Sequence, residues 1–349
     1  MSAEKMKAMV LEKFNIPLVY KEVPIPRLEP GEALIKVLNC GICGTDVKIF
    51  RGLLPPSIVT LPYIMGHEVV GEVVSVAPNV RNVQVGERVI VYFYISCGKC
   101  KFCQSGRENI CINIKRCGFE IDGGYAQFQK VPARNLCPIH NISPQEAAIL
   151  PDAVATTYHA IKTVGKVHIN DRVLILGAGG LGIHAVQIAK LCGAEVAVVN
   201  RTEWKLDRIG ELVNDVHLIS PQKTNLKEYI NEWTKEEGVD VVIDTVGYPK
   251  VSMEWGFSNL TRGGRFVIVG YSTEQPLPVN MMGMHYNEWE IAGSRVSTKL
   301  ELIEVIRLVE NHKITPIVDR VFPLEKANQA LKAVQEGNVA GRIVLGNSP

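Results

Sequence analysis

The stretch that decides the fold is "LILGAGGLGIHAVQIAK", residues 174–190. A short apolar run ends at Gly177. A turn holding Gly177, Gly179, Gly180, Leu181 and Gly182 follows, and then a run with helical periodicity. Gly177, Gly179 and Gly182 form a G-x-G-x-x-G between a predicted strand and a predicted helix, the context that gives this spacing mechanical meaning. The first glycine permits a tight turn, the second lets a pyrophosphate approach the backbone, and the third lets the helix pack on its strand. The helix N-terminus then presents its partial positive charge to phosphate.

Around this turn the same rhythm repeats. "EVAVVN" is followed by "EWKLDRIGEL", and later come "VDVVIDTVG" and "GRFVIVG", whose Val269, at the strand's end, is a candidate cofactor contact. Apolar strands alternating with helices of ten or so residues predict βαβ units and a doubly wound parallel sheet. Residues 1 to about 150 differ. "EALIKVLNC", "EVVGEVVSVAP" and "ERVIVYFYI" are Val- and Ile-rich runs between Gly, Pro and Asn turns, which predict a β-rich domain. Beyond about 295, "KLELIEVIRLVEN" reads as a helix and "GRIVLG" as a final strand. The 349 residues suit two domains. The expected division is a β-rich domain of residues 1–154 and 296–349 around a dinucleotide-binding domain of residues 155–295.

The end of the second strand bears on the cofactor. Sites for NAD usually place an acid there, about 20 residues on, to accept from the ribose 2′-OH. Here "VVNRTEWK" puts Asn200 in that place, then Arg201 and Lys205. A guanidinium pairs with a 2′-phosphate that an acid would repel, so NADP is expected, with NAD the alternative.

Nine cysteines need a use, and four of them, Cys97, Cys100, Cys103 and Cys111, stand as C-x2-C-x2-C-x7-C. An odd count with such clustering argues against a disulfide framework and for metal in a reducing, cytoplasmic compartment. Four thiolates close a tetrahedral zinc site with no open position, which makes the site structural. An iron–sulfur cluster is the alternative, but the Cys-Pro ending common to ferredoxin runs is absent. A second C-x2-C, Cys40 and Cys43 in "NCGICGTD", reads by spacing alone as half a zinc finger or a redox pair.

"GHEVVGEVVSVAPNV" supplies a G-H-E-x2-G-x5-A-x2-V from Gly66 to Val80. With "GICGTD" and the two features above, the chain resembles the zinc-dependent medium-chain alcohol dehydrogenases over essentially its whole length. The resemblance implies a GroES-like catalytic domain beside a Rossmann domain, with the active site in the cleft between them. It also implies a catalytic zinc held by Cys43, His67 and, at the domain junction, Asp152, with Glu68 behind the metal. Cys40 then drops out as a small buried residue. Thr45 would exchange the substrate proton, and Asp46 would orient His67. Thr156 would pack on the nicotinamide, and Arg342 would lie near the pyrophosphate and Glu68. Where many relatives carry a proton-relaying histidine this chain has Lys48, which suits an anionic group or a relay by a lysine of depressed pKa. His140, His159, His168 and His184 carry no motif.

The implied activity is hydride transfer between an alcohol or carbonyl and a nicotinamide by a homodimer or homotetramer. Alternatives are a dehydrogenase or enoyl reductase acting on an acyl-CoA thioester, and a cofactor-binding protein without turnover. A net charge of +2 and the lack of a basic stripe argue against nucleic acid. No segment approaches the roughly 20 apolar residues of a membrane span, and the N-terminus lacks a signal-peptide apolar core.

Overall fold

The computed structural model describes residues 4–273 and 275–347. The chain divides into two compact units. One comprises the chain up to Ala153, Ser297–His312 and the segment from Pro316 onward; the other is Val154–Val296 with Lys313–Thr315.

The first unit is built on a mixed sheet whose centre is the strand Glu32–Ile42. Its apolar side chains alternate inward along the first half, and the last four residues are all buried. Glu68–Val76 pairs with it antiparallel on one side, in the register Cys40↔Val69 and Gly41↔Glu68. Arg342–Gly346 pairs with it antiparallel on the other, with Ile343 opposite Ile42. A three-stranded sheet of Val19–Pro24, Lys5–Leu11 and Tyr63–Ile64 completes the barrel-like region. The cysteine-bearing lobe rises from the short pair Tyr94–Ile95 and Lys115–Arg116.

Among the elements of this unit that the sequence pattern does not announce is a short helix. Gly44–Phe50 is a helix whose N-cap is Cys43, closed by a capping box with Asp46. Seven residues are two turns, too few for helical periodicity to show in sequence.

The second unit carries a six-stranded, wholly parallel sheet. Its order is Val216–Ile219, Glu195–Val199, Arg172–Leu176, Val239–Asp244, Leu260–Ile268, Glu290–Gly293. The two central strands, Arg172–Leu176 and Val239–Asp244, are almost wholly buried, which explains their predominantly apolar sequences. Leu174, Leu176, Val199, Val242 and Phe266 pack into one core; each such side chain contributes about 1.5–3 kcal/mol relative to exposure. The strand order reverses between the two central strands, and the glycine turn leaves the sheet there, where a doubly wound fold opens its crevice. The helix Gly182–Leu191 follows directly. No helix among the described residues is long and apolar enough to cross a membrane.

The three glycines of the turn differ in what they permit. Gly177 has φ +96°, a backbone region that favours glycine. A Cβ on Gly182 would lie 1.9 Å from the Gly177 carbonyl oxygen, whereas one on Gly179 would meet nothing within 4 Å. Gly182→Ala should therefore lower the urea midpoint, by about 1–3 kcal/mol of overpacking. Gly179→Ala should leave it unchanged; equal midpoints for the two variants would contradict this assignment.

Candidate active site and metal centres

In the cysteine lobe the four Sγ atoms of Cys97, Cys100, Cys103 and Cys111 all lie within 4.8 Å of one another. Neighbouring pairs are 3.4 Å (Cys97 and Cys111), 3.5 Å (Cys100 and Cys103), 3.9 Å (Cys100 and Cys111) and 4.0 Å (Cys97 and Cys103) apart. A tetrahedron around zinc with 2.3 Å bonds has edges of about 3.8 Å, so the donor set fits one zinc ion and is too tight for an iron–sulfur cluster. Backbone N–H groups point at the sulfurs: Cys97 N and Asn113 N both donate to Cys111 Sγ, at 3.3 and 3.4 Å. The Cys103 N–H is the main cause that brings the Cys100 thiol down to about 6. Burial pushes Cys103 up to about 12.

The second cluster joins Cys43, His67, Glu68 and Asp152, all buried, with one donor atom from each within 4.8 Å of the others. The central register explains the gathering. Cys43 follows the end of Glu32–Ile42, Glu68 opens the neighbouring strand, and Gly41 opposite it has no side chain: a Cβ there would sit 2.0 Å from Glu68 Oε2. Asp152 comes from a wide helical turn, Leu150–Val154, of the π type often found at functional sites. The His67 ring is flanked by Phe93 and Phe119 at centroid distances of 5.0 and 5.1 Å, apolar neighbours that no motif announces.

Arg342 lies buried against this cluster. Its Nε donates to Glu68 Oε1 at 2.9 Å, and its Nη2 donates to Asp152 Oδ2 at 2.9 Å and to Cys43 Sγ at 3.5 Å. Asp46 supports the cluster from behind: its Oδ2 accepts from Cys43 N at 2.8 Å, and its Oδ1 faces His67 Nδ1 at 3.4 Å. Three buried carboxylates, Asp46, Glu68 and Asp152, thus stand against one guanidinium. Burial and close charges together set the proton affinities here. Burial pushes the Glu68 carboxyl up to about 8 despite Arg342. Burial alone would lower His67, yet the Asp46 charge and hydrogen bonds to the acids hold it well above the usual histidine range. Burial would likewise raise Asp152, but His67 and Arg342 hold it well below the usual carboxylate range. Three buried carboxylates beside one guanidinium leave negative charge that a divalent cation would offset. The donor set of thiolate, imidazole and carboxylate suits zinc.

The remaining residues take definite places. Thr45 N–H lies 3.4 Å from Cys43 Sγ, and Lys48, one turn on, is half-buried, which lowers its ammonium pKa against the opposing pull of Cys43. Cys40 is buried and outside both clusters. In the second unit Asn200 ties the glycine turn down: its Oδ1 accepts from Ala178 N at 3.2 Å and its Nδ2 donates to the Thr202 carbonyl at 2.9 Å. His184 contacts the Gly180 carbonyl at 2.7 Å. Arg201 is exposed, the Lys205 ammonium lies over the Trp204 ring, and Glu203 is paired with Lys223 at 2.6 Å. Val269 N donates to the Asp244 carbonyl, and Thr156 is buried.

Comparison with known proteins agrees with this geometry. Residues 29–141 match the family described as Alcohol dehydrogenase GroES-like domain, and residues 180–311 match Zinc-binding dehydrogenase. An alcohol dehydrogenase of Geobacillus stearothermophilus is 36% identical over 97% of this chain and 99% of its own. An NAD-dependent alcohol dehydrogenase of Sulfolobus acidocaldarius is 33% identical over 97% of this chain and 99% of its own. The crystal structure of an alcohol dehydrogenase of Aeropyrum pernix superposes with a TM-score of 0.89 at 32% identity, covering 97% of this chain and 99% of that one. The chain belongs to the zinc-dependent medium-chain alcohol dehydrogenase family.

Proposed function

We propose that this enzyme interconverts an alcohol and its carbonyl product with NADP as hydride carrier. Residues 1–154 and 296–349 would serve as catalytic domain and residues 155–295 as dinucleotide-binding domain. The observation that carries the reading is the buried cluster of Cys43, His67 and Asp152, short of positive charge, with Glu68 and Arg342 behind it. When bound, zinc supplies Lewis acidity toward the substrate oxygen, and the nicotinamide exchanges hydride with the substrate carbon.

The protein's own groups do the rest. Cys43, His67 and Asp152 hold the catalytic ion, and Asp46 fixes the first two by accepting from the Cys43 N–H and facing the His67 ring. Arg342 restrains Glu68 and Asp152 in the orientation that points their oxygens at the cluster. Phe93 and Phe119 exclude water from the faces of His67. The Thr45 hydroxyl relays the substrate proton, accepting it in oxidation as its own proton is released toward solvent, and running in the opposite sense in reduction. Lys48 contacts an anionic group of substrate or cofactor. In the other unit Gly177, Gly179, Gly180, Leu181 and Gly182 cradle the pyrophosphate, where Gly179 leaves open space. Asn200 is spent on holding that turn, so the 2′-phosphate falls to Arg201 and Lys205. The four-cysteine site stabilises its lobe.

A cytoplasmic homo-oligomer is part of this reading. The cysteines gathered in one four-thiol cluster, with Cys43 in another, suit a reducing compartment. The edge strand Glu290–Gly293 is unpaired on its outer side among the described residues, and Met281, Met282 and Tyr286 stand exposed close by in sequence.

Elemental analysis should find two zinc ions per chain in the wild type and one in Cys43→Ala, with alcohol-dependent NADP reduction abolished; one ion in both proteins would move the chemistry to a zinc-independent reductase. Arg201→Ala should raise the KM for NADP about 10- to 100-fold, the worth of a charge-assisted hydrogen bond of about 1.5–3 kcal/mol, and leave that for NAD nearly unchanged. Parallel loss with both cofactors would count against a 2′-phosphate contact.

A further inference from the structure

We propose that Tyr125 is a positioning residue for His67, acting through Asp46; this rests on the reading of Cys43 and His67 as ligands of the catalytic zinc. Tyr125 is fully buried, and its backbone is fixed from two sides: its N–H donates to the Met65 carbonyl at 2.9 Å, and its carbonyl accepts from Met9 N at 2.8 Å. The preceding Gly124 N–H donates to the Gly66 carbonyl at 2.9 Å, so the segment bearing Tyr125 is laced to the residues that lead into His67.

The ring is seated just as firmly. A Cβ on Gly66 would lie 2.3 Å from Cδ1 and 2.7 Å from Cε1 of Tyr125, so the glycine before His67 is what lets the ring lie there. Gly66 also has φ +98°, a conformation that side chains rarely adopt. The hydroxyl lies near enough to Asp46 to feel its charge, though no hydrogen bond of ordinary geometry closes between them.

Three polar atoms are left over around this carboxylate. Tyr125 Oη, Asp46 Oδ1 and His67 Nδ1 are each buried without a hydrogen-bond partner. Their capacities are complementary. A carboxylate oxygen accepts two bonds, while a phenol and an imidazole N–H each give one. Asp46 Oδ2 is already taken by the Cys43 N–H. The 3.4 Å from Asp46 Oδ1 to His67 Nδ1 needs to close by only about 0.5 Å for an ordinary bond. With the Tyr125 hydroxyl and the Cys43 amide on its two oxygens, the carboxylate cannot rotate, and it keeps the proton of His67 on Nδ1. That tautomer leaves Nε2, which faces Asp152 Oδ2 at 3.8 Å, free to bind metal. Tyr125 touches neither substrate nor metal in this account.

The test is zinc release from the loaded enzyme into excess EDTA, followed with a chromogenic zinc indicator. Cys43→Ala identifies the phase that belongs to the catalytic site, because that phase disappears. Tyr125→Phe keeps the ring and its packing and removes only the hydroxyl. It should speed that phase about 10-fold, the lower end of what supporting partners of metal ligands contribute, while the four-cysteine phase and the thermal midpoint stay put. Asp46→Asn should speed the same phase, and the double variant should be no faster than Asp46→Asn alone. After cobalt substitution the visible ligand-field bands of Tyr125→Phe should also shift. A wild-type release rate with unchanged bands in Tyr125→Phe, or effects that multiply in the double variant, would overturn the proposal. A wild type with a single release phase that Cys43→Ala leaves intact would overturn the catalytic-zinc reading itself, and this inference with it.

Discussion

The first unit depends on the register of one strand. Glu32–Ile42 is hydrogen-bonded to Glu68–Val76 on one side and to Arg342–Gly346 on the other, and both pairings bring polar residues to the same end. Gly41 lies opposite Glu68, and Ile42 lies opposite Ile343. Cys43, His67, Glu68 and Arg342 are therefore neighbours because their strands are. A slip of one residue would turn every side chain of the moving strand to the other face. The buried apolar face of Glu32–Ile42 opposes such a slip, so hydrophobic alternation, a general property of strands, sets the coordinates of a specific chemical site.

The same end of the sheet concentrates charge where solvent cannot screen it. Arg342 answers part of the negative charge of Glu68 and Asp152, and it also fixes their geometry, since its Nε and Nη2 each hold one carboxylate. Removing one partner of a buried pair leaves the other uncompensated, which is far more costly than breaking a surface pair. The acids are therefore kept near the positions a cation needs, and the remaining charge deficit gives the cation its affinity.

Much of this was legible in the sequence where chemistry is local. The glycine turn, the four-cysteine run, and the segments around Cys43 and His67 each carry their meaning within about fifteen residues. The parallel sheet was legible because buried strands are predominantly apolar runs. Contacts made across the fold were not. Phe93 and Phe119 look like ordinary core residues, and nothing in the sequence says that they flank His67. Tyr125 sits in a glycine-rich turn that reads as mere punctuation. The resemblance put Arg342 near Glu68, but its bond to Asp152, 190 positions away, depends on the sheet register. The helix Gly44–Phe50 was invisible for its shortness, although it carries Thr45, Asp46 and Lys48.

The two clusters differ in how much chain must exist before each can form. The four cysteines span fifteen residues and close on themselves, so a nascent lobe has all its donors soon after leaving the ribosome. The other cluster is not electrostatically complete until Arg342, 190 positions beyond Asp152, has been synthesised and its strand has docked beside Glu32–Ile42. Formation then has a built-in order: the lobe has all its donors long before the other cluster has its arginine.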